Sequence, residues 1–396
     1  MPLKRKYLYA AAAICLLSAC ASNTTATNSS KPAFEEKPTV NTSHSGSKYA
    51  DLPEISEPAQ IKSGQSKAIA QGFTDSNNIL MPDIQEYAQE LSQKRNIPQA
   101  EVNKLLKAAR YNDKVASLMS PSKTRIRRSW VTYKKRFVEP IRIKAGTEFW
   151  QSHRSELADV EKEYGVPAEI IVAIIGVETI YGRYMGDFKV LDALATLGFR
   201  YPDPNRPERS KLFRDQLADL ILLHHQGRLN AYEVTGSYAG AMGLPQFMPG
   251  SLLRYAVDGN NDGNIDLHNN TKDAITSVAS FLRHHGWQPG LPVFAPVSPP
   301  NNAKSLVTGD INPDLDWQTL EQHGARILRG PKQQDWMRYK VGVVDLLDEP
   351  RQTVEYRIGT PNFFAITHYN RSYFYAASVY ELAQEIKQRV NGESAN

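Results

Sequence analysis

Residues 167–183 read PAEIIVAIIGVETIYGR, and this stretch decides what kind of core the chain can build. Residues 170–177 contain no polar side chain. A helix that is apolar on every side has to be surrounded by other elements of the protein. Pro167 suits the first turn of such a helix, where a missing N–H leaves no hydrogen bond unmade. The stretch therefore predicts a buried helix over residues 167–183, in a mainly α-helical fold.

Glu178 is the ionisable residue that this pattern singles out. The residues three and four positions away on a helix are Ile174, Ile175, Tyr181 and Gly182. Because none of them is ionisable, the carboxyl group is either desolvated or faces a cleft cut into the core. Desolvation raises the pKa of a carboxyl group, which a general acid working near neutral pH requires. Two plainer alternatives stay open: a buried Glu held by backbone donors, or a side chain that simply emerges at the helix end.

The sequence marks no second carboxylate to work with Glu178. Paired carboxylates are a common catalytic arrangement. Asp187 and Asp192 lie nearby in the sequence, but no spacing rule places either of them opposite Glu178. The pattern thus offers one acid without a marked partner.

The composition of the whole chain suits a folded protein of two or three domains. Of its 396 residues, 41% are hydrophobic and 22% are charged, which excludes a wholly disordered, collagenous or polytopic membrane protein. The formal net charge is +5, and three of the cations, Lys4, Arg5 and Lys6, lie in the leader described next. The remaining charge is too small to indicate a nucleic-acid partner.

The N-terminus has the pattern of a bacterial lipoprotein signal. The three cations precede an apolar run over residues 7–17 that is too short to span a bilayer, and Leu-Ser-Ala-Cys follows at residues 17–20. We predict a signal peptide over residues 1–19, lipidation of Cys20 and a disordered tether over 20–70. Residue 21, directly after the Cys, is Ala rather than the Asp of inner-membrane retention signals. The body is therefore expected in the periplasm of a Gram-negative bacterium, anchored to the outer membrane; a plain signal peptide is the alternative.

The rest of the chain divides by pattern into helical parts and one β-rich part. Apolar residues recur at helical spacing from residue 83 to about 165, and further helices are predicted over 212–229, 271–286 and 373–390. Between residues 290 and 360 prolines are frequent and short β-type runs appear, such as residues 352–358. We interpret this part as a small β-rich insertion.

Two segments outside the central helix combine small, aromatic and amide residues. Residues 236–249 read GSYAGAMGLPQFMP; such a loop either presents N–H groups, Ser237 and Gln246 to a ligand or is a tight connection without one. Residues 369–375 read YNRSYFY. There Asn370 either helps to bind a ligand or caps the last helix, with the tyrosines in the core.

Together these motifs resemble the membrane-bound lytic murein transglycosylase B family. They are Glu178 with Tyr181-Gly182, the GAMG and QFMP parts of the 236–249 loop, and the 369–375 segment, in order from about residue 80 to the C-terminus. The resemblance implies a lysozyme-like helical core at 151–289 and 361–396. It also implies an additional helical domain at 71–150 and the small β-rich domain at 290–360.

The resemblance also implies an activity and a set of site residues. The family cleaves the β-1,4 bond between N-acetylmuramic acid and N-acetylglucosamine in peptidoglycan and leaves 1,6-anhydromuramoyl ends. By position, Glu178 matches its catalytic acid and base, and no second carboxylate is needed. The substrate-binding residues implied are Ser237, Gln246, Tyr369, Asn370, Tyr375 and Tyr133. Two rival functions stay open: a hydrolysing muramidase with an unseen second carboxylate, and a non-catalytic, calcium-bound peptidoglycan-binding lipoprotein.

Residues 258–266, DGNNDGNID, fit the first nine positions of an EF-hand loop. Position 12 is Asn269 rather than Glu, so the expected acid is displaced by four residues. The predicted ligands are Asp258, Asn260, Asp262, the backbone carbonyl of Asn264, and Asp273. We expect a structural Ca²⁺, as the lengthened loop of the same family implies, and no organic cofactor; a turn-rich loop without a metal is the alternative. The expected partners are glycan strands and, through Cys20, outer-membrane lipid. Cell-wall synthesis or division proteins are further candidates, and no nucleic-acid partner is expected.

Overall fold

The structure, a computed structural model, describes residues 72–122, 125 and 127–393. The predicted signal peptide, Cys20 and the predicted tether lie outside these residues. Within them the chain forms fourteen α-helices, numbered here α1 to α14 in chain order. They are Pro82–Arg95, Gln99–Ala108, Asp113–Met119, Trp130–Phe137, Pro140–Ser152, Arg154–Tyr164, Ala168–Thr179, Val190–Phe199, Pro207–His225, Pro249–Tyr255, Thr271–His284, Trp317–Gln322, Pro361–Thr367 and Tyr373–Glu393.

In the described part of the chain, six short strands form three antiparallel pairs, β1–β2, β3–β4 and β5–β6. They are Phe188–Lys189, Thr235–Gly236, Val297–Ser298, Arg326–Ile327, Gly342–Asp348 and Thr353–Gly359. The predicted fold class, mainly α with a small β-rich insertion, is confirmed. No helix of the described residues is long and apolar enough to cross a membrane.

The central helix α7 is buried as its sequence predicts, with every residue except Glu178 shielded from solvent. Helices α5 and α14 pack against it. The predicted end at residue 183 is wrong, because α7 stops at Thr179. Ile180, Tyr181 and Gly182 all have left-handed backbone conformations, with φ of 50°, 57° and 86°. Left-handed residues cannot continue a right-handed helix.

Other helix boundaries differ from the predictions for similar local reasons. Helix α9 begins at Pro207, before the predicted start at residue 212, because Pro suits the first helical turn. It ends at His225 instead of residue 229, and Gly227 follows in a left-handed conformation with φ of 68°. The predicted strand over residues 352–358 corresponds to β6, shifted by one residue.

Helices α1 to α4 share one continuous cluster of buried side chains with the rest of the helical body, and partly buried side chains of α5 pack against it. The predicted domain boundary at residue 150 falls inside α5, which packs on both α7 and α14. By contrast, the β-rich part has a separate small core. Its buried members are Ala295, Val297, Ala303, Leu320, Ala325, Trp336, Val341, Val343 and Ile358. The predicted division into domains stays a prediction: the separate core is what a distinct β-rich domain would require, whereas the shared cluster marks no boundary near residue 150.

Candidate active site

The end of α7 turns the chain sharply directly after Glu178. The ring of Tyr181 lies between α5 and α7, where a Cβ atom on Gly146 or on Gly176 would come within 2.3 Å of its hydroxyl oxygen. Both helices therefore need glycine at this contact. That hydroxyl is buried, has no hydrogen-bond partner among the described residues, and burial raises the pKa of Tyr181 well above its usual value.

Thr179 joins the end of α7 to the loop at residues 236–249. Its buried hydroxyl accepts a hydrogen bond from the N–H of Gly182 at 3.0 Å and donates to the carbonyl of Leu244 at 3.0 Å. A helix end with these bonds is held in one position, so Glu178, one residue earlier, is also held. Glu178 is the one residue of α7 that keeps part of its surface exposed.

The carboxyl group of Glu178 is desolvated and bonded to a tyrosine. The hydroxyl of Tyr375, itself fully buried in α14, donates to Oε1 of Glu178 at 2.6 Å. Burial raises the pKa of Glu178 to about 7, and the hydrogen bond from Tyr375 opposes this rise. No charged side chain of the described residues is among the causes of the shift. The plainer alternative of a Glu held by backbone donors therefore does not describe this contact.

Neither Asp187 nor Asp192 is among the groups that shift the pKa of Glu178. Asp187 is exposed on the connection before β1. Asp192, in α8, accepts a hydrogen bond from the backbone N–H of Arg110 at 2.8 Å and so holds the segment that follows α2. The site therefore has one carboxyl group with a strongly shifted pKa, as the sequence indicated.

The loop at residues 236–249 is a compact hairpin built around two obligatory glycines. Gly240 and Gly243 have φ of 87° and 70°, and a Cβ on Gly243 would lie 2.4 Å from the carbonyl oxygen of Leu267. The hydroxyl of Ser237 accepts a hydrogen bond from the N–H of Ala241 at 3.0 Å. This leaves the hydroxyl proton of Ser237 for another acceptor.

Gln246 fastens this loop to the segment that follows α7. Its Nε2 donates to the carbonyls of Gly243 at 3.0 Å and Met185 at 3.2 Å. Its backbone is left-handed, with φ of 51°, an uncommon conformation for a residue other than Gly. Uncommon backbone conformations are concentrated at functional sites, because the surrounding structure has to impose them.

Tyr369 connects the loop with the acid. Its hydroxyl donates to the carbonyl of Pro245 at 2.9 Å, and its ring stacks on Tyr375 with a centroid distance of 6.4 Å. Burial, and secondarily the negative charge of Glu178, raise the pKa of Tyr369 well above its usual value. The structure thus places Glu178, Tyr375, Tyr369 and the 236–249 loop in one connected site.

The structure relates Asn370 and Tyr133 to the site only through neighbouring residues. Asn370 is half-buried at the turn before α14. It does not cap that helix: the cap is Ser372, whose hydroxyl oxygen accepts from the N–H of Tyr375 at 3.4 Å. Tyr133, in α4, packs against Phe374 with a centroid distance of 5.5 Å, and Phe374 is the residue before Tyr375.

A cavity of about 220 Å³ extends the site away from Glu178. It shares Gln246 and Tyr369 with the site but does not include Glu178 in its wall. Helices α3, α9, α10 and α11, the loop before α10 and the turn after α13 supply the remaining wall: Met119, Arg209, Leu212, Phe213, Gln216, Phe247, Met248, Ser251, Phe281 and His368. Apart from Phe247 and Met248, which belong to the QFMP motif, the sequence predictions missed these residues. The helical spacing of 209, 212, 213 and 216 is the signal that could have placed four of them on one face.

The Asp-rich loop folds around its own carboxylates. Asp258 accepts hydrogen bonds from the N–H groups of Asp262 at 3.2 Å and Gly263 at 2.8 Å. Asp273 is fully buried and accepts from the N–H groups of Gly259 at 2.9 Å and Asp266 at 2.8 Å. Asp273 thus holds the two ends of the loop to the start of α11, whose cap is Asn270.

The donors of this loop fit a hard cation in their chemistry. Burial, and to a smaller extent the charge of Asp258, raise the pKa of Asp273 above its usual value, so the two carboxylates repel each other. A bound cation would relieve that repulsion. Among the described residues, however, no three His, Cys, Asp or Glu side chains lie close enough together to hold a metal. A cation here would therefore also need the amide and carbonyl oxygens predicted for Asn260 and Asn264.

The chain is similar to known proteins over nearly its full length. Residues 81–384 match the model of the transglycosylase SLT domain family. The chain is 32% identical to membrane-bound lytic murein transglycosylase B of Escherichia coli (strain K12), over 97% of this chain and 98% of that protein.

Two solved structures are similar as well. Soluble lytic transglycosylase SltB1 of Pseudomonas aeruginosa is 39% identical with a TM-score of 0.68, over 78% of this chain and 99% of that one. Escherichia coli lytic transglycosylase Slt35 in complex with calcium is 33% identical with a TM-score of 0.67, over 81% of this chain and 96% of that one. The predicted lysozyme-like fold and the predicted family are both confirmed. The chain therefore belongs to the family of SLT-domain lytic transglycosylases and is an enzyme of that class.

Proposed function

We propose that this enzyme cleaves the β-1,4 bond between N-acetylmuramic acid and N-acetylglucosamine in murein without using water. Its products would carry 1,6-anhydromuramoyl ends. The observation that carries the proposal is the carboxyl group of Glu178, whose pKa is raised to about 7 by burial and whose Oε1 is bonded to Tyr375 at 2.6 Å. A group with a pKa near the working pH can both donate and accept a proton in one reaction cycle.

In the first step, protonated Glu178 would donate its proton to the glycosidic oxygen. The bond from that oxygen to C1 of the muramoyl residue breaks, and N-acetylglucosamine leaves with a 4-hydroxyl group. The positive charge that develops at C1 would be met by the 2-acetamido oxygen of the same sugar, as in substrate-assisted glycoside hydrolases. This step requires no second carboxylate, in agreement with the absence of a charged side chain from the causes of the Glu178 pKa shift.

In the second step, the Glu178 carboxylate would take the proton of the muramoyl 6-hydroxyl group, whose oxygen attacks C1. A C1–O6 bond forms as the 2-acetamido oxygen leaves C1 and the acetamido group becomes neutral again, the anhydro ring closes, and Glu178 returns to its protonated form. An internal nucleophile competes successfully with water because well-oriented intramolecular reactions have effective molarities of ~10⁵–10⁸ M. The bond from Tyr375 would hold the carboxyl group in position during both transfers.

The glycan would lie along the wall formed by Tyr369, Gln246 and the loop at residues 236–249. Gln246 and Tyr369 line the cavity next to the acid, which supports a role for that cavity in holding further sugars. Ser237 has a hydroxyl proton to donate to the substrate, since its oxygen accepts from Ala241. We assign Asn370 and Tyr133 to the same binding set on the family resemblance alone.

Mass spectrometry of murein sacculi digested by the enzyme tests this function. Anhydromuramoyl ends are the expected product. Reducing ends would instead identify a hydrolysing muramidase with an unseen second carboxylate. No cleavage at all would identify a non-catalytic murein-binding protein, the rival from a different functional class.

We also propose that the loop at residues 258–273 binds a structural Ca²⁺. The oxygen donors around Asp258 and Asp273 suit this ion, and the similar Slt35 has a structure in complex with calcium. The ligands of the ion would be Asp258, Asn260, Asp262, the carbonyl of Asn264, and Asp273. The ion would tie the chain that follows α10 to α11 and take no part in catalysis.

We further propose that Cys20 is lipidated and anchors the enzyme to the outer membrane. The Leu-Ser-Ala-Cys sequence at residues 17–20 supports this, as does the membrane-bound relative from Escherichia coli. Metabolic labelling with an alkynyl fatty acid should tag the parent protein and should not tag Cys20→Ala. A parent protein that stays unlabelled and is released freely into the periplasm would contradict the proposal. Recruitment by cell-wall synthesis or division proteins stays a prediction.

A further inference from the structure

One short segment of this chain has a large excess of positively charged over negatively charged side chains. Residues 122–138 contain seven Lys or Arg residues and no Asp or Glu: Lys123, Arg125, Arg127, Arg128, Lys134, Lys135 and Arg136. The other 40 cations of the chain face 42 acidic residues, so the rest of the chain has a net charge of −2. The positive net charge of the chain therefore comes from this basic region together with the three leader cations, and the remainder of the chain is acidic.

Most of these cations are exposed at the surface. The exposed members that the structure describes, named here the basic surface, are Arg125, Arg127, Arg128, Lys135 and Arg136. Arg125 pairs with Glu349 at 3.3 Å, yet its side chain is 83% exposed. Arg128 lies 3.8 Å from Asp345 and is 54% exposed. Such surface pairs contribute little and dissociate readily. Arg127, Lys135 and Arg136 form no salt bridge with any described carboxylate, so the surface has charge left for a ligand.

The backbone beneath the basic surface is held firmly. Asp348, buried at the end of β5, accepts hydrogen bonds from the hydroxyl of Ser129 at 2.9 Å and the N–H of Val131 at 3.0 Å. The carbonyl of Arg128 accepts from the N–H of Glu349 at 2.8 Å. The basic side chains are thus presented from a fixed start of α4, which lowers the entropy cost of binding.

The basic surface adjoins the catalytic site. Trp130 and Tyr133 of α4 pack on Phe374 of α14 with centroid distances of 5.6 and 5.5 Å, and the guanidinium of Arg128 lies 5.3 Å from the same ring. The next residue, Tyr375, is bonded to Glu178. The basic surface is therefore joined to the partner of Glu178 through two consecutive residues of α14, Phe374 and Tyr375.

We propose that the basic surface binds the carboxylates of murein peptide stems, next to the cleft where Glu178 cuts the glycan; this rests on the proposed function. Sugars of the glycan are uncharged, whereas the peptide stems on the muramoyl residues carry carboxylate groups. An anionic polymer that enters the cleft would thus meet complementary charge beside α14. An anionic bilayer fits less well, because membrane-bound helices expose an apolar face. The apolar residues Trp130 and Phe137 of α4 are buried, and among the residues that the structure describes between 125 and 136 none is an exposed large apolar residue.

The test uses the full chain with Cys20→Ala in every sample, so that no lipid contributes to binding. The variant is Arg127→Glu/Lys135→Glu/Arg136→Glu. Its control, Lys144→Glu/Arg154→Glu/Lys162→Glu, changes the charge equally at exposed positions of α5 and α6. Binding is measured by co-sedimentation with intact sacculi and with glycan strands whose stems an amidase has removed and whose freed lactyl carboxyl groups are then converted to amides. Co-sedimentation does not depend on cleavage, so it reports on this proposal even if no anhydro ends are formed.

We expect the variant to bind intact sacculi about tenfold more weakly than the parent at low ionic strength, because exposed ion pairs contribute small but additive amounts. The difference should shrink as salt is added, and the control should bind like the parent. Stem-free strands should bind parent and variant equally. If the variant is poorly folded by circular dichroism, the neutral form Arg127→Gln/Lys135→Gln/Arg136→Gln replaces it.

Three results would overturn the proposal. The variant could bind intact sacculi as well as the parent does. It could lose equal affinity for stem-free strands, which have no stem carboxylates. Or it could lose binding to phosphatidylglycerol vesicles while sacculus binding stays unchanged, which would assign the surface to a membrane.

Discussion

Replacing Glu178 by Gln should abolish cleavage and at the same time stabilise the folded protein above neutral pH. Burial raises the pKa of Glu178 from 4.5 to about 7 in the folded state. A shift of this size corresponds to ~3 kcal/mol, at 1.36 kcal/mol per pH unit. Because the pKa is raised on folding, the contribution of Glu178 is fully favourable below pH 4.5 and is lost as the pH rises through 7. Gln is nearly isosteric and does not titrate, so it avoids this loss.

Urea unfolding of parent and Glu178→Gln between pH 5 and 9 measures the stability difference, and sacculus digestion measures activity. The difference should grow by ~3 kcal/mol up to about pH 8 and then stay constant, while activity falls by at least ~10²–10⁴-fold. Glu169→Gln is the control, since Glu169 lies at the other end of α7 and pairs with Lys387 at 2.7 Å; it should retain cleavage. A stability difference that does not change with pH, or activity within tenfold of the parent, would refute the reasoning.

Three further perturbations test other contacts of the site. Tyr375→Phe removes the hydrogen bond that opposes the rise in the Glu178 pKa, so the alkaline limb of the kcat/KM profile should move up by ~1–2 pH units; an unmoved limb contradicts this. Tyr181→Phe should be as stable as the parent or ~1 kcal/mol more stable, because it removes a buried hydroxyl without a described partner, whereas Tyr181→Ala should cost ~3–5 kcal/mol in urea unfolding. A less stable Phe variant would show that the hydroxyl is bonded. Ca²⁺ at a hundredfold excess over Kd should stabilise the parent by ~2.7 kcal/mol and so raise its Tm. It should leave the Tm of Asp262→Ala unchanged. Calorimetry that finds no Ca²⁺ binding at millimolar concentration contradicts the metal site.

Much of the helical framework could be predicted from sequence because it depends on local patterns. The apolar run of α7 requires burial whatever surrounds it, and Pro207 and Pro361 each lie at the start of a helix. The end of α7 could not be predicted in this way. Ile180 and Tyr181 favour helical or extended conformations by themselves. Their left-handed conformation accompanies a ring fitted between Gly146 and Gly176 on two different helices, a contact that no local pattern contains.

In the candidate site, too, local features could be predicted from sequence and contacts between distant residues could not. Sequence alone determined that Glu178 is an acid among apolar neighbours, that no nearby carboxylate is marked as its partner, and that residues 258–266 follow a calcium-loop pattern. Only the tertiary structure decided that the hydroxyl of Tyr375, 197 positions away, bonds the carboxyl group. It also decided that Ser372, not Asn370, caps α14, and that Tyr369 connects the acid with the 236–249 loop. The physical reason is that desolvation follows from neighbours along one helix, whereas a hydrogen-bond partner or a cavity wall depends on how separate helices pack against each other.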